Sequence, residues 1–263
     1  MDLTTTPGFV PGMRTTMSFR ELGGLEAKDG RHVRHGLLYR GSPLINLTPD
    51  EQAIVNQIGL SFILDLRATG EAEGKDDYLP DGTEYLRIPG MYDERGVEVD
   101  FSPLGISRIA SRFAEQDEQG EGAFMRSLYV SMTRDNPAVH TLVDRFVNRQ
   151  APLFFHCTAG KDRTGVCAAV LLTLLGIPDD SIVQEFLLTN EYRAEIINNP
   201  PEKLPPHMAS VDNWAKANSV DEESLRAVFA AIDEGHTSRD EYFADEFGLS
   251  QADLAKLRDY YLE

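Results

Sequence analysis

The chain is short of cysteine, of basic residues and of long apolar runs, and each shortage removes a class of function. Cys157 and Cys167 are the only cysteines, too few for a disulfide framework and in keeping with a reducing compartment. Lys and Arg number 25 against 43 Asp and Glu, a formal net charge of −18. Such a field repels nucleic acid and anionic bilayers, so neither nucleic acid binding nor stable membrane association is expected. No apolar run approaches the roughly 20 residues that cross a bilayer. The opening MDLTTTPGFVPGM has neither a basic n-region nor an apolar h-region, which points to a cytoplasmic protein, with export by a signal-less route left open. Internal repeats and low-complexity tracts are missing too, and a single domain over 1–263 is expected.

What is present reads as alternating strands and helices. Phe19–Leu22 and Leu37–Arg40 are extended pieces joined by glycine turns. Thr48-Pro49-Asp50-Glu51 combines a capping Thr, Pro at the first helical position and Glu three residues after the cap, so a helix runs from there to Gly59. Residues 60–66, LSFILDL, suit a strand buried on both faces, and Thr83–Ile88 is a second strand. From Met91 to Gly122 there are eight acidic residues against three basic ones, and the segment reads as a partly helical insertion. Helices are then expected over Phe124–Met132 and from Asn136-Pro137, where Val139, Leu142, Val143, Phe146 and Val147 mark one face. Pro152–Phe155 is a buried strand, and VCAAVLLTLLG a buried helix ending at Gly176. Ile182–Tyr192 continues helically, PPEKLPP at 200–206 is a loop, and Ser219-x-x-Glu222, Ser238-x-x-Glu241 and Ser250-x-x-Asp253 open three more helices. Residues 207–263 form a helical C-terminal segment of the same domain.

Between the last strand and the buried helix lies HCTAGKDRTG, residues 156–165. A loop that leaves a buried strand and enters a helix aims backbone N–H groups and the positive end of the helix dipole at one point, where anions collect. Thr158, Ala159, Gly160, Lys161, Asp162 and Arg163 are the expected phosphate-binding residues: Gly160 lets the loop curl, and the planar guanidinium of Arg163 grips two oxygens. The same field favours the thiolate of Cys157, lowering its pKa from about 8.5 into the range of roughly 3.5 to 7.5. In-line attack on a bound phosphoryl group would give a phosphocysteine that water hydrolyses, with no metal and no cofactor. His156, whose side chain leaves the strand on the other face, supports the loop and orients the thiolate. Thr164 donates a hydrogen bond to the sulfur. Cys167, within an apolar helix, reads as a core residue with a lesser chance of pairing with Cys157 on oxidation. Lys161 either widens acceptance of multiply phosphorylated ligands or is a solvated cation, and Arg20 and Arg40 suit ion pairing more than direct site roles.

His156-Cys157-x5-Arg163-Thr164 resembles the signature loop of the Cys-dependent protein-tyrosine-phosphatase superfamily, and HCTAGKDRTG as a whole resembles its bacterial protein-tyrosine phosphatase B branch. SFRELGG at 18–24 is similar to that branch's NFRDLGG, with Ser18 and Glu21 replacing Asn and Asp. LYRGS at 38–42, ILDLRATGE at 63–71 and FGLSQADLAKLR at 247–258 are similar to further segments of it. The resemblance implies an α/β fold with a central sheet flanked by helices and a helical lid, placed at 91–134. It also implies a phosphorylated protein or phosphoinositide as substrate, acting on phosphotyrosine and extending to phosphoserine, phosphothreonine or inositol lipids, with inorganic phosphate as product ligand. An Asp within the loop is the branch's favoured general acid, which maps onto Asp162; Asp65 and Asp93 are the alternatives. Two other functions stay open: a catalytically silent phospho-ligand binding module, and a rhodanese-like sulfurtransferase.

Overall fold

The chain's alternation of short apolar runs and helical stretches folds into one mixed sheet with helices on both faces. The computed structural model describes residues 3–116, 121–205 and 210–263. From the N-terminus run β1 (Arg20–Glu21), β2 (Leu38–Gly41), α1 (Pro49–Ile58), β3 (Phe62–Asp65), the one-turn α2 (Thr69–Ala72) and β4 (Glu84–Arg87). Next come α3 (Pro103–Gln116), α4 (Glu121–Ser131), α5 (Pro137–Val147), β5 (Leu153–His156) and α6 (Asp162–Leu174). The chain closes with α7 (Asp179–Tyr192), α8 (Ala194–Asn198), α9 (Val211–Asn218), α10 (Glu222–Asp233), α11 (Arg239–Phe247) and α12 (Gln251–Tyr261).

The strand order is β1-β2-β5-β3-β4. β1 is antiparallel to β2, while β2, β5, β3 and β4 run parallel. β5 therefore sits at the centre between strands that precede it by many residues. Its C-terminal end opens where the connections on either side diverge, the usual place for a ligand in an open parallel sheet. Period-two alternation assigns the faces. Leu38, Phe62, Leu64, Leu153 and Phe155 enter the larger core with Val139, Leu142 and Phe146 of α5 and nearly all of α6. Tyr39, Ile63 and Phe154 enter a smaller core with Met17, Phe19 and Val55 of α1. Continued for two residues, the alternation sends His156 toward the smaller core and Cys157 toward α6, and Cys157 does belong to the larger cluster.

Local signals explain the element ends. Thr48 and Glu51 form the reciprocal capping box at α1, with Pro49 at its first position. Asn136 accepts from the N–H groups of Ala138 and Val139 at α5, and Ser238 and Ser250 cap α11 and α12. One expected cap moves: α10 starts at Glu222 under Asp221, whose carboxylate accepts from Ser224 N–H, while Ser219 closes α9. Asp lies one position before the helix there, where its oxygen reaches the third N–H; Ser219 lies too far upstream.

The insertion range 91–134 carries α3 and α4, and its residues 117–120 lie outside the described residues, as do 206–209. Its far end is built into the main core, since Leu128, Tyr129 and Met132 are buried. Among the described residues, no helix is long and apolar enough to cross a membrane.

Candidate active site

The loop from Cys157 to Arg163 joins the central strand to the most buried helix, and its peptide groups are held from one side. His156 Nδ1 lies 3.4 Å from the Cys157 carbonyl. Arg193 donates to the Ala159 carbonyl at 3.3 Å, and Arg40 to that of Gly160 at 3.1 Å. The Lys161 carbonyl accepts from Gly165 N–H at 2.6 Å. Among the described residues none of the six N–H groups from Thr158 to Arg163 finds a protein acceptor. This is a cradle of donors at a helix N-terminus, suited to an oxyanion. Gly160 has φ +65°, and a Cβ there would sit 2.5 Å from the Gly41 carbonyl carbon, so no other residue lets the loop pass this close to β2.

Arg163 is fixed by a residue that sequence reasoning left unassigned. Glu71 of α2 takes Arg163 Nη1 at 2.6 Å and Nη2 at 2.8 Å, and it also accepts from the Thr158 hydroxyl. Arg163 Nη1 donates to the Leu66 carbonyl as well, and the guanidinium lies 5.0 Å from the Phe101 ring centre. Its Nε is buried without a partner among the described residues, a donor left for a ligand. Burial lowers the pKa of Arg163, but Glu71 and the Cys157 sulfur raise it more, so the group stays charged. Burial raises the carboxyl pKa of Glu71, and Arg163 and Thr158 bring it below the usual range, so the pair is ionised on both sides.

Cys157 is 1% exposed. Burial pushes its thiol pKa up; Arg163 and the Thr164 hydroxyl and N–H outweigh that and hold it below the ordinary thiol value. The Thr164 hydroxyl makes no strict hydrogen bond in the resting loop, so its effect on the sulfur is that of a dipole ready to tighten on the thiolate. Cys167 shows the contrast: it is fully buried, and burial and the Cys157 sulfur push its thiol pKa far up against the weaker pull of Arg40 and Arg163.

The three candidate acids occupy different surroundings. Asp162, the first residue of α6, accepts on Oδ1 from the Tyr129 hydroxyl at 2.6 Å and from Lys161 Nζ at 2.9 Å. Burial raises its carboxyl pKa, while Lys161 and Tyr129 carry it below the usual value. Lys161, held also by the Ser219 carbonyl, is thus not a free loop cation. Asp65 ends β3 beside His156, away from the thiol. Its oxygens accept from Arg67 Nε and Nη2, Arg67 N–H and the Tyr85 hydroxyl. Saturated with donors at zero exposure, it lacks the free oxygen that proton delivery requires. Asp93 accepts from the N–H groups of Arg95 and Val97 and organises its own turn.

Behind the loop, Arg67 also pairs with Asp77. Ligand atoms of Asp65, Asp77 and His156 lie within 4.8 Å of one another, but Arg67 already donates to both carboxylates, so a cation would have to compete with it. Arg20 and Arg40, fully buried, share Glu185 of α7 at 2.7 and 2.6 Å. Arg40 therefore does more than the expected ion pairing: it ties that pair to the Gly160 carbonyl. Ser18, at the position where the resembling branch has Asn, adopts φ 50°, a left-handed conformation that Asn tolerates better. Glu21 binds His35 and the Gly36 N–H, locking the turn before β2.

A family model described as "Tyrosine phosphatase family" matches residues 12–263. A protein of Cupriavidus necator provisionally named a tyrosine-protein phosphatase is 30% identical over 249 residues, covering 94% of this chain and 86% of the relative. The triple specificity protein phosphatase PtpB of Mycobacterium tuberculosis is 28% identical over 272 residues, covering 92% of this chain and 98% of the relative. A tyrosine-protein phosphatase of Nostoc commune is 29% identical over 157 residues, 58% of this chain and 48% of that protein.

Proposed function

Because the chain belongs to the tyrosine phosphatase family and is a protein-tyrosine phosphatase, we propose that it hydrolyses phosphomonoesters through a phosphocysteine on Cys157. The observation that carries this reading is the one-sided loop. Among the described residues, six N–H groups and Arg163 Nε are without protein acceptors and surround a thiol whose neighbours favour the thiolate. A phosphoryl group placed there has its three peripheral oxygens bonded and its phosphorus facing sulfur. Thiolate attack forms the P–S bond as the P–O bond to the leaving group breaks, and the departing oxygen takes a proton from Asp162. Water then attacks phosphorus and gives a proton to Asp162. The P–S bond breaks, returning the thiolate, which the Thr164 hydroxyl stabilises as it leaves, and releasing inorganic phosphate.

The substrates are phosphotyrosine proteins, with phosphoserine, phosphothreonine and phosphoinositides as further candidates. The triple specificity in the name of the mycobacterial relative supports more than one class. Asp162 is the acid because only its carboxylate, among Asp65, Asp93 and Asp162, belongs to the loop and keeps an oxygen free of protein donors. Intact Cys157, Arg163 and Thr164 argue against a silent binding module, and the Arg-Thr ending with its Glu71 brace suits phosphate, not a persulfide. Lys161, bonded to Asp162, serves the acid first and any second phosphate only by exchanging that bond. We further propose that the chain is one domain, with 91–134 as its lid insertion.

The test is phosphate release by wild type and Cys157→Ser from a phosphotyrosine peptide and a phosphoinositide, in excess chelator. Turnover lost in the variant and indifferent to chelator is expected, and the ratio of the two substrates assigns the class. Turnover by Cys157→Ser, or its loss on chelation, would overturn the mechanism.

A further inference from the structure

Asp162 is held asymmetrically. Its Oδ1 receives both the Tyr129 hydroxyl at 2.6 Å and Lys161 Nζ at 2.9 Å, and among the described residues no donor reaches Oδ2. The two donors arrive from different places. Lys161 belongs to the loop and is pinned a second time by the Ser219 carbonyl at 3.2 Å. Tyr129 belongs to α4, is 2% exposed, and stands edge-on to Phe186 with ring centres 6.3 Å apart. Leu128 and Met132 on either side of it are buried as well. A ring confined this closely has one direction for its hydroxyl, and that direction is Asp162.

A carboxylic acid carries its proton on one oxygen, and an oxygen already accepting two hydrogen bonds is the poorer place for it. We infer that Tyr129 is a positioning residue for the proton transfer: with Lys161 it fixes Oδ1, confines the transferable proton of Asp162 to Oδ2, and favours the ionised carboxylate between turnovers. This rests on Asp162 being the general acid.

The same arrangement divides the two chemical steps. In the first, the incoming phosphate dianion raises the proton affinity of Asp162 and opposes the donors on Oδ1, so Oδ2 holds its proton until the leaving oxygen takes it. In the second, Asp162 must accept a proton from water, and Tyr129 and Lys161 stabilise the carboxylate until it does. The charged groups facing Asp162 are Lys161 and Arg163 beside it in the chain, Arg193 at the end of α7, and the sulfur of Cys157, while Asp221 before α10 acts on Tyr129. Burial and the adjacent carboxylate push the Tyr129 phenol pKa well above 10, so it remains a donor wherever the enzyme works.

The experiment is the pH dependence of kcat, which reads groups in the substrate complex, for wild type, Tyr129→Phe, Lys161→Met and Asp162→Asn, each with p-nitrophenyl phosphate and phenyl phosphate. Wild-type activity should fall at high pH as Asp162 loses its proton, more steeply for the poor leaving group. Tyr129→Phe removes one hydroxyl and keeps the ring. Its high-pH limb should move upward by about 0.5 to 1 pH unit, and its phenyl to p-nitrophenyl rate ratio should drop severalfold. Lys161→Met, which removes the other donor on Oδ1, should move the limb in the same direction. If Asp162→Asn abolishes the limb while Tyr129→Phe leaves limb and ratio where they were, Tyr129 is packing alone and the inference fails, whatever Lys161→Met does. If Asp162→Asn keeps the limb, the acid assignment falls, and this inference falls with it.

Discussion

The carbonyl side and the amide side of the phosphate loop follow opposite rules. On the carbonyl side charges are paired and buried: Arg20 and Arg40 on Glu185, and Arg67 on Asp65 and Asp77. On the amide side the N–H groups of Thr158 to Arg163, Arg163 Nε and Asp162 Oδ2 have no partner among the described residues. Satisfaction on one face produces the vacancy for a ligand on the other, because a peptide plane whose carbonyl is held cannot turn its N–H away. The lesson is a division of labour: substitutions behind the loop should change stability first, and substitutions in front should change rate first.

The largest effect expected is behind the loop. Glu185→Ala leaves two fully buried guanidiniums without their shared carboxylate, and burial with Arg20 nearby already draws the Arg40 pKa down to about 10. Removing one partner of a buried ion pair typically costs about 3–5 kcal/mol. Chemical denaturation should show a loss of that order, while the protein that stays folded should retain the wild-type pH profile. An intact melting curve with altered pH limbs would dissolve the distinction between the two sides.

Glu71 straddles the boundary and sharpens it. Its carboxylate braces Arg163 from behind and the Thr158 hydroxyl from the side. Glu71→Gln keeps the shape and one acceptor but loses the charge and the bidentate fork. A fall of about 10²-fold in kcat/KM is expected, comparable with losing one oxyanion donor, together with weaker competitive inhibition by vanadate. Stability also depends on this carboxyl. Its folded pKa lies below the unfolded value, so the stabilisation is present above the ordinary Glu pKa near 4.5 and is lost as pH falls through the folded value. A variant that loses stability but binds vanadate as the wild type does would place Glu71 wholly on the structural side.

How far the sequence showed this depends on whether a signal is local. The Thr48 capping box, the alternation that turns Cys157 toward α6, and the strand-loop-helix carrying HCTAGKDRTG are all readable within a dozen residues, and the structure has each of them. Glu71 and Tyr129 are not local: they meet the loop only because β3 lies beside β5 and because α4 enters the main core. ILDLRATGE contains Glu71 in plain view, yet nothing in its spacing says that its partner is 92 residues away. Arg40 reads from the sequence as an ion-pairing residue, but its reach to Gly160 follows from β2 pairing with β5 in register. The helices α8 and α9 were missed because the proline-rich stretch between them dominates that part of the sequence.

The smallest effect is the most discriminating, because it concerns a single hydroxyl in front of the loop. Cys157 must be ionised to attack, so activity falls as pH drops through its pKa. Burial works against ionisation, and Arg163 with Thr164 works for it. Thr164→Ala should therefore raise the thiol pKa and move the low-pH limb of kcat/KM upward by roughly 0.5 unit, a change of about 0.7 kcal/mol between the two forms. Thr164→Ser should restore the limb, since it returns the hydroxyl without the methyl. The pH dependence of Cys157 alkylation by iodoacetamide reads the same ionisation without turnover, and both limbs should move together. If alkylation shifts while the turnover limb stays, the limb belongs to the substrate phosphate, and Thr164 acts only when sulfur departs in the second step. If Ser and Ala behave alike, the methyl and its packing against the loop matter, and Thr164 belongs with the residues behind it.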